Sequence, residues 1–95
     1  MKALILVKFT SLETRDAYRQ LKGLKAVTAS FMVYGRFDAV AIIQAKNLEE
    51  IRHILFSEIQ PIPGVIETLP CIIVEDENLT LAEQELRPQM LRPTP

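Results

Sequence analysis

Apolar and polar residues alternate along this chain in rhythms that change about every ten residues, and each rhythm predicts an element. Ala3 to Val7 is an unbroken apolar run between Lys2 and Lys8, the pattern of a central strand. Thr10 and Glu13 have the spacing of a capping box, which predicts a helix starting near Ser11 with Ala17, Tyr18 and Leu21 as its apolar stripe and Gly23 at its end. Val27 to Tyr34 alternates, with Val27, Ala29, Phe31 and Val33 on one side and Thr28, Ser30, Met32 and Tyr34 on the other, as a half-buried edge strand does. Gly35 to Asp38 then supplies turn residues, since glycine tolerates positive φ and aspartate can bond nearby amides. Ala39 to Ala45 returns to near-continuous apolarity and predicts a strand deep in the same sheet.

Asn47 and Glu50 repeat the capping spacing, and Leu48, Ile51, Ile54, Leu55 and Ile59 recur at helical intervals until Pro61 and Pro63. A last strand is predicted over Ile66 to Val74. Pro70 interrupts it and cannot donate to a ladder, so it belongs at a sheet edge or at an irregularity. The order is βαββαβ. Right-handed crossovers place both helices on one face of a four-stranded antiparallel sheet, an α+β fold of the ferredoxin-like kind. Residues 1–75 make this domain. Residues 76–95 form a tail, acidic and then rich in proline, with a short helix predicted from Leu81 to Arg87 ahead of Pro88. Leu79, Met90 and Leu91 either dock on a neighbouring subunit or belong to a tolerated tail, and the sequence leaves both readings open.

The strands carry more apolar surface than two helices can cover. Leu4 and Leu6 stand opposite Ala3, Ile5 and Val7 across the first strand; Val40 and Ile42 oppose Ala39, Ala41 and Ile43; and Leu69, Cys71 and Ile73 oppose Ile72 and Val74. One sheet face is left unclaimed. Burying each larger side chain is worth about 1.5–3 kcal/mol, so five or more can offset an association cost of about 4–15 kcal/mol. A face-to-face homodimer of the dimeric α+β barrel type is expected.

Composition narrows the function. With 95 residues the chain is one domain, and its net charge of -1 gives no electrostatic footprint for nucleic acid or an anionic membrane. The single cysteine, Cys71, precludes an intrachain disulfide and fits a reducing, cytoplasmic setting. It lies in an apolar run and is expected to be buried and inert. Residues 1–7 are too short a run to span a membrane and lack a signal-peptide cleavage pattern.

Catalytic candidates are sparse. His53, the only histidine, falls off the apolar stripe of its helix and reads as a solvated residue without an orienting partner. Tyr18 reads as a packed aromatic with a wet hydroxyl. No metal-ligand spacing and no phosphate-cradling glycine loop is present, so neither metal, cofactor nor enzymatic activity is expected. A small dimeric ferredoxin-like enzyme would need a titratable residue in its pocket, and His53 and Tyr34 are poor candidates. Asp38 remains. It either stabilises the hairpin turn or pairs with a ligand's ammonium group while main-chain amides near Gly35 hold its carboxylate, and both roles can coexist.

Gly35, Arg36, Phe37 and Asp38, then an apolar strand, then Asn47 to Glu50 opening a helix, then Ile62, Pro63, Gly64 and Val65 with Thr68, together resemble the effector-binding domain of Lrp/AsnC transcription regulators, also called RAM. The resemblance covers Lys2 to Glu75. It implies a protomer that dimerises through its sheet, dimers that assemble further, and amino-acid effectors held between dimers. The matching ligand-site positions are Gly35, Phe37, Asp38 and Thr68. The family often carries a second hydroxyl residue where this chain has Pro70. Family regulators bind DNA through a helix-turn-helix ahead of the first strand, and this sequence shows none there, so it is similar to stand-alone RAM proteins. Such a protein is expected to sense an amino acid or related metabolite, or to serve as a structural subunit that co-assembles with full-length relatives.

Overall fold

The computed structural model describes residues 1–73 of the chain. Strand β1 (Lys2–Phe9) is followed by helix α1 (Thr14–Gly23), strands β2 (Val27–Met32) and β3 (Ala39–Gln44), helix α2 (Leu48–Ile54) and strand β4 (Val65–Ile73). A π-helical turn, Leu55–Ile59, extends α2. The four strands form one antiparallel sheet in the order β2-β3-β1-β4. The fold is ferredoxin-like. The apolar runs β1 and β3 are the inner strands, as expected, while alternating β2 and proline-bearing β4 are the edges. Pro70 sits opposite Ile5, on a strand that has no outer neighbour among the described residues to miss its donor.

Residues opposite one another in an antiparallel pair share a face. Ile5 lies between Ala41 and Pro70, and Leu6 between Val40 and Leu69. Ala3, Ile5 and Val7 of β1 and Ala39, Ala41 and Ile43 of β3 are fully buried, in one cluster with Ala17 and Leu21 of α1 and Ile51, Ile54, Leu55 and Ile59 of the second helical segment. Both helices therefore cover the same side. On the other side Leu4, Leu6, Val40 and Ile42 are half-buried, and Phe31, Leu69 and Ile73 are exposed. The face left open is the one the strand pattern predicts.

Several local expectations are corrected. The Thr10/Glu13 capping box does not form: α1 begins at Thr14, and its cap, Glu13, makes no side-chain bond. The Thr10 carbonyl instead accepts from Glu13 N (3.2 Å) and from Thr14 Oγ1 (2.9 Å), while Thr10 N donates to the Gly64 carbonyl (2.8 Å). That last bond draws Thr10 to the entrance of β4, and residues 11–13 turn before the helix starts. Gly64 suits this junction for two reasons. Its φ is +100°, and a Cβ there would lie 2.8 Å from Glu13 Cβ.

The even alternation of β2 is broken by a register shift between Val27 and Ala29. The extra residue puts Val27 against the core, opposite Ile43, and leaves Ala29 and Phe31 on the open face. β2 ends at Met32 rather than Tyr34, because the chain reverses toward Asp38. Leu48, counted in the apolar stripe of α2, is 48% exposed; it opens the helix, before the packed turn begins. Asn47 caps α2 as expected, accepting from Glu50 N at 2.9 Å. Tyr18 is a packed aromatic, its hydroxyl 3.1 Å from Ser30 Oγ. Cys71, expected to be buried, is exposed: it pairs with Leu4 on the open face, which the helices do not reach. Val74 and the helix predicted from Leu81 to Arg87 lie outside the described residues.

Candidate functional site

The β2–β3 turn starts at Gly35, whose φ of +139° is a conformation that side-chain-bearing residues rarely adopt. Nothing lies within 4 Å of where its Cβ would be, so glycine is required by the backbone and not by crowding. Phe37 is 8% exposed and anchors the turn to the domain. Arg36 points outward with its guanidinium 5.2 Å from the Phe37 ring centroid, within cation–π range.

Asp38 is committed to the architecture. Its Oδ2 accepts from Phe9 N at 2.8 Å, its own N donates to the Val7 carbonyl at 2.9 Å, and its carbonyl accepts from Val33 N at 3.0 Å. The Phe9 amide faces the β3 side, where the β1–β3 ladder ends at the Val7–Ala39 pair, and the carboxylate supplies its partner. A hydrogen bond to a charged group contributes about 1.5–3 kcal/mol. The turn-stabilising role of Asp38 is therefore present, with one carboxylate oxygen engaged.

Thr68 stands opposite Val7 on the helix side of β4, and its hydroxyl accepts from Gln60 Nε2 at 3.2 Å. Gln60, Glu67 and Thr68 line a shallow cavity of about 280 Å³ with Val65 and Ile66. The structure thus gathers Gly35, Phe37 and Asp38 into one turn and places Thr68 across β1 from them, at the same end of the sheet. A single chain does not bring Asp38 and Thr68 together.

Three residues that sequence reasoning passed over link these halves. Arg36 Nη2 and Glu67 Oε2 form an ion pair at 3.0 Å, and Lys8 Nζ donates to the Arg36 carbonyl at 3.0 Å. Lys8 and Glu67 are cross-strand partners, so the charges form a strap from the turn over β1 to β4. With the guanidinium side chain 75% exposed and the carboxylate 42% exposed, the pair is worth only about 0.2–1 kcal/mol and can exchange partners. Lys8 and Glu67 share a face by strand alternation, a signal the sequence did carry. Gln60 carried none: it reaches Thr68 from the end of the π-helical turn, which apolar periodicity does not report.

Among the described residues no group of three His, Cys, Asp or Glu side chains is placed to hold a metal ion, and no helix is long and apolar enough to cross a membrane. His53 is exposed, with Nδ1 3.5 Å from Ser57 Oγ.

A ferredoxin-like domain with one bare apolar face and polar groups at one end of its sheet is an open-faced α+β domain, and the fold by itself assigns no function. The chain belongs to the Lrp/AsnC ligand binding domain family, whose model matches residues 2–77. Domains of this family bind small-molecule effectors and oligomerise. A comparison with curated proteins finds no match. Among solved structures, TTHA0845 from Thermus thermophilus is similar at a TM-score of 0.74 and 21% identity, over 79% of this chain and 94% of that one. AsnC from E. coli gives a TM-score of 0.73 and 19% identity, over 80% of this chain and 52% of AsnC. The regulator NMB0573 from Neisseria meningitidis, solved as an L-Met complex, gives 0.72 and 14%, over 80% and 51%. The chain thus spans about half the length of the latter two. At these identities the likeness establishes the fold.

Proposed function

We propose that this protein is an amino-acid-responsive assembly module of the cytoplasm, without catalytic activity. It dimerises through the open sheet face, assembles further, and holds a free amino acid or related metabolite between dimers. Gly35, Phe37 and Asp38 contribute one half of each site and Thr68 contributes the other half from another copy. The observation that supports this reading is the division of the site: Asp38 and Thr68, both half-buried, lie on opposite sides of β1, an arrangement that a second chain closing over a ligand would complete. The L-Met complex of NMB0573 supports an amino acid as the ligand class. Effector binding shifts assembly only by its differential affinity for the assembled state.

The test is a thermal-shift and sedimentation panel of the common amino acids on wild type, Asp38→Asn and Thr68→Val. Asparagine keeps an acceptor for Phe9 N and removes the charge that would hold an ammonium group, so it separates ligand binding from folding. One or more amino acids should raise Tm and the assembled fraction in wild type, with the response lost in both variants. A response of equal size in Asp38→Asn refutes the assigned site.

A second reading is favoured by one observation, that the Asp38 carboxylate already serves Phe9 N, and it agrees with the departure from the family pattern at Pro70 that the sequence resemblance implies. On this reading the chain is a structural subunit that co-assembles with full-length relatives and has lost its effector. It predicts stable assembly with no response to any amino acid.

A further inference from the structure

A cleft of about 520 Å³ lies at the far end of the sheet from the Gly35 turn, between the α1–β2 connection, the end of β3 and the second helical segment. Its floor is apolar, formed by Ala26 and by Ile54, which is 3% exposed. Gln44 sits at its edge, where Gln44 N donates to the Ala26 carbonyl at 3.2 Å and fixes the end of β3 against the start of β2. One wall carries Glu50, His53 and Glu58; the opposite lip carries Lys25.

The π-helical turn explains how the two carboxylates come to share a wall. In an uninterrupted α-helix, residues eight apart are turned about 80° from one another. Here the chain takes a wide turn over Leu55–Ile59, closed by a bond from Gln60 N to the Leu55 carbonyl at 2.9 Å, five residues back. The wide turn offsets that rotation and returns Glu58 to the side of Glu50 and Ile54. Both glutamates are half-buried.

The opposite charges do not close on each other. The ion pair among the described residues is Arg36–Glu67, and neither the Lys25 ammonium nor the Glu50 and Glu58 carboxylates make a side-chain hydrogen bond there. A cleft with an apolar floor that holds carboxylates on one wall and an ammonium on the other is complementary to a small zwitterion whose charges are separated by an aliphatic chain. We propose that this cleft binds such a ligand, an ω-amino acid, with its ammonium at Glu50 and Glu58, its methylene chain over Ile54 and Ala26, and its carboxylate at Lys25. Gln44 and His53 add hydrogen-bonding groups at the rim. This site shares no residue with the turn and Thr68, so it stands or falls separately from the reading above.

The probe is 4-aminobutyrate, titrated into the full-length chain labelled with nitrogen-15, with butyrate and 1,4-diaminobutane as controls that each lack one charge type. The zwitterion should move the backbone amides of Lys25, Gln44, Glu50 and His53 at concentrations up to about 10 mM, where even weak sites of this size fill. Its affinity should fall roughly tenfold in K25A and again in E50Q/E58Q, the loss expected for one charge-assisted contact. These are exposed or half-exposed positions, and amide spectra report directly whether each variant keeps its fold. Absence of shifts at those four amides, equal affinity in K25A and E50Q/E58Q, or equal binding of either control would overturn the proposal.

Discussion

The two faces of the sheet are built from nearly the same residue types and end up in opposite conditions. On one, Ala3, Ile5 and Val7 meet the helices and are wholly buried; on the other, Leu69 and Ile73 keep 44% and 37% of their surface and Phe31 keeps 55%. Apolarity along a strand reports that a face will be covered and is silent on what covers it. The covered side is finished by the chain's own helices. On the proposed reading the bare side is finished by association, at about 1.5–3 kcal/mol for each large side chain buried.

That contrast can be broken most forcefully on the covered side. Ile5→Ala removes a side chain from the centre of the core and should destabilise the domain by about 2–5 kcal/mol, read as a lower denaturant midpoint at unchanged slope. Leu6, one residue on, faces the open side. Leu6→Asp should leave the unfolding of the isolated chain within about 1 kcal/mol of wild type, yet abolish the dimer in sedimentation. If Leu6→Asp instead unfolds the chain while Ile5→Ala leaves its stability unchanged, the two faces have been assigned the wrong way round.

Smaller effects sharpen the account at the ends of the strands. Gly64→Ala combines a φ of +100° with a 2.8 Å approach to Glu13 Cβ, and a loss of about 1–3 kcal/mol is expected in thermal or chemical denaturation. Asp38→Ala orphans the Phe9 amide and should cost about 1–3 kcal/mol, whereas Asp38→Asn should recover most of that loss. Arg36→Ala, which cuts the exposed strap to Glu67, should change stability by less than about 1 kcal/mol. A much larger loss would show that the strap, and not Asp38, holds the turn.

What the sequence made legible follows from how each signal works. Element order, the hairpin at Gly35, the edge position of the Pro70 strand and the bare face were all readable, because strand alternation and proline chemistry act over a few residues. The Asn47 cap was readable for the same reason. The Thr10/Glu13 cap misled because a distant bond, from Thr10 N to the Gly64 carbonyl, competes for the same stretch. The slip in β2 at Thr28 and the π-helical turn at Leu55–Ile59 each insert a residue without disturbing which residues are apolar, so neither leaves a periodic trace. Of the candidate site, the turn residues were legible as a turn, and the assignment of Thr68 to a separate half came only from the family resemblance. That β1 runs between them is a fact of topology that no local motif carries. Cys71 shows the same limit: its apolar neighbours announced burial, and the covering surface they announced is not among the described residues.

The central claim is that a second copy covers the open sheet face and completes the protein. Sedimentation velocity of the wild-type chain at micromolar concentration tests it most directly. A dimer or larger assembly that dissociates to monomer in Leu6→Asp is the predicted result, and a stable wild-type monomer at that concentration contradicts it.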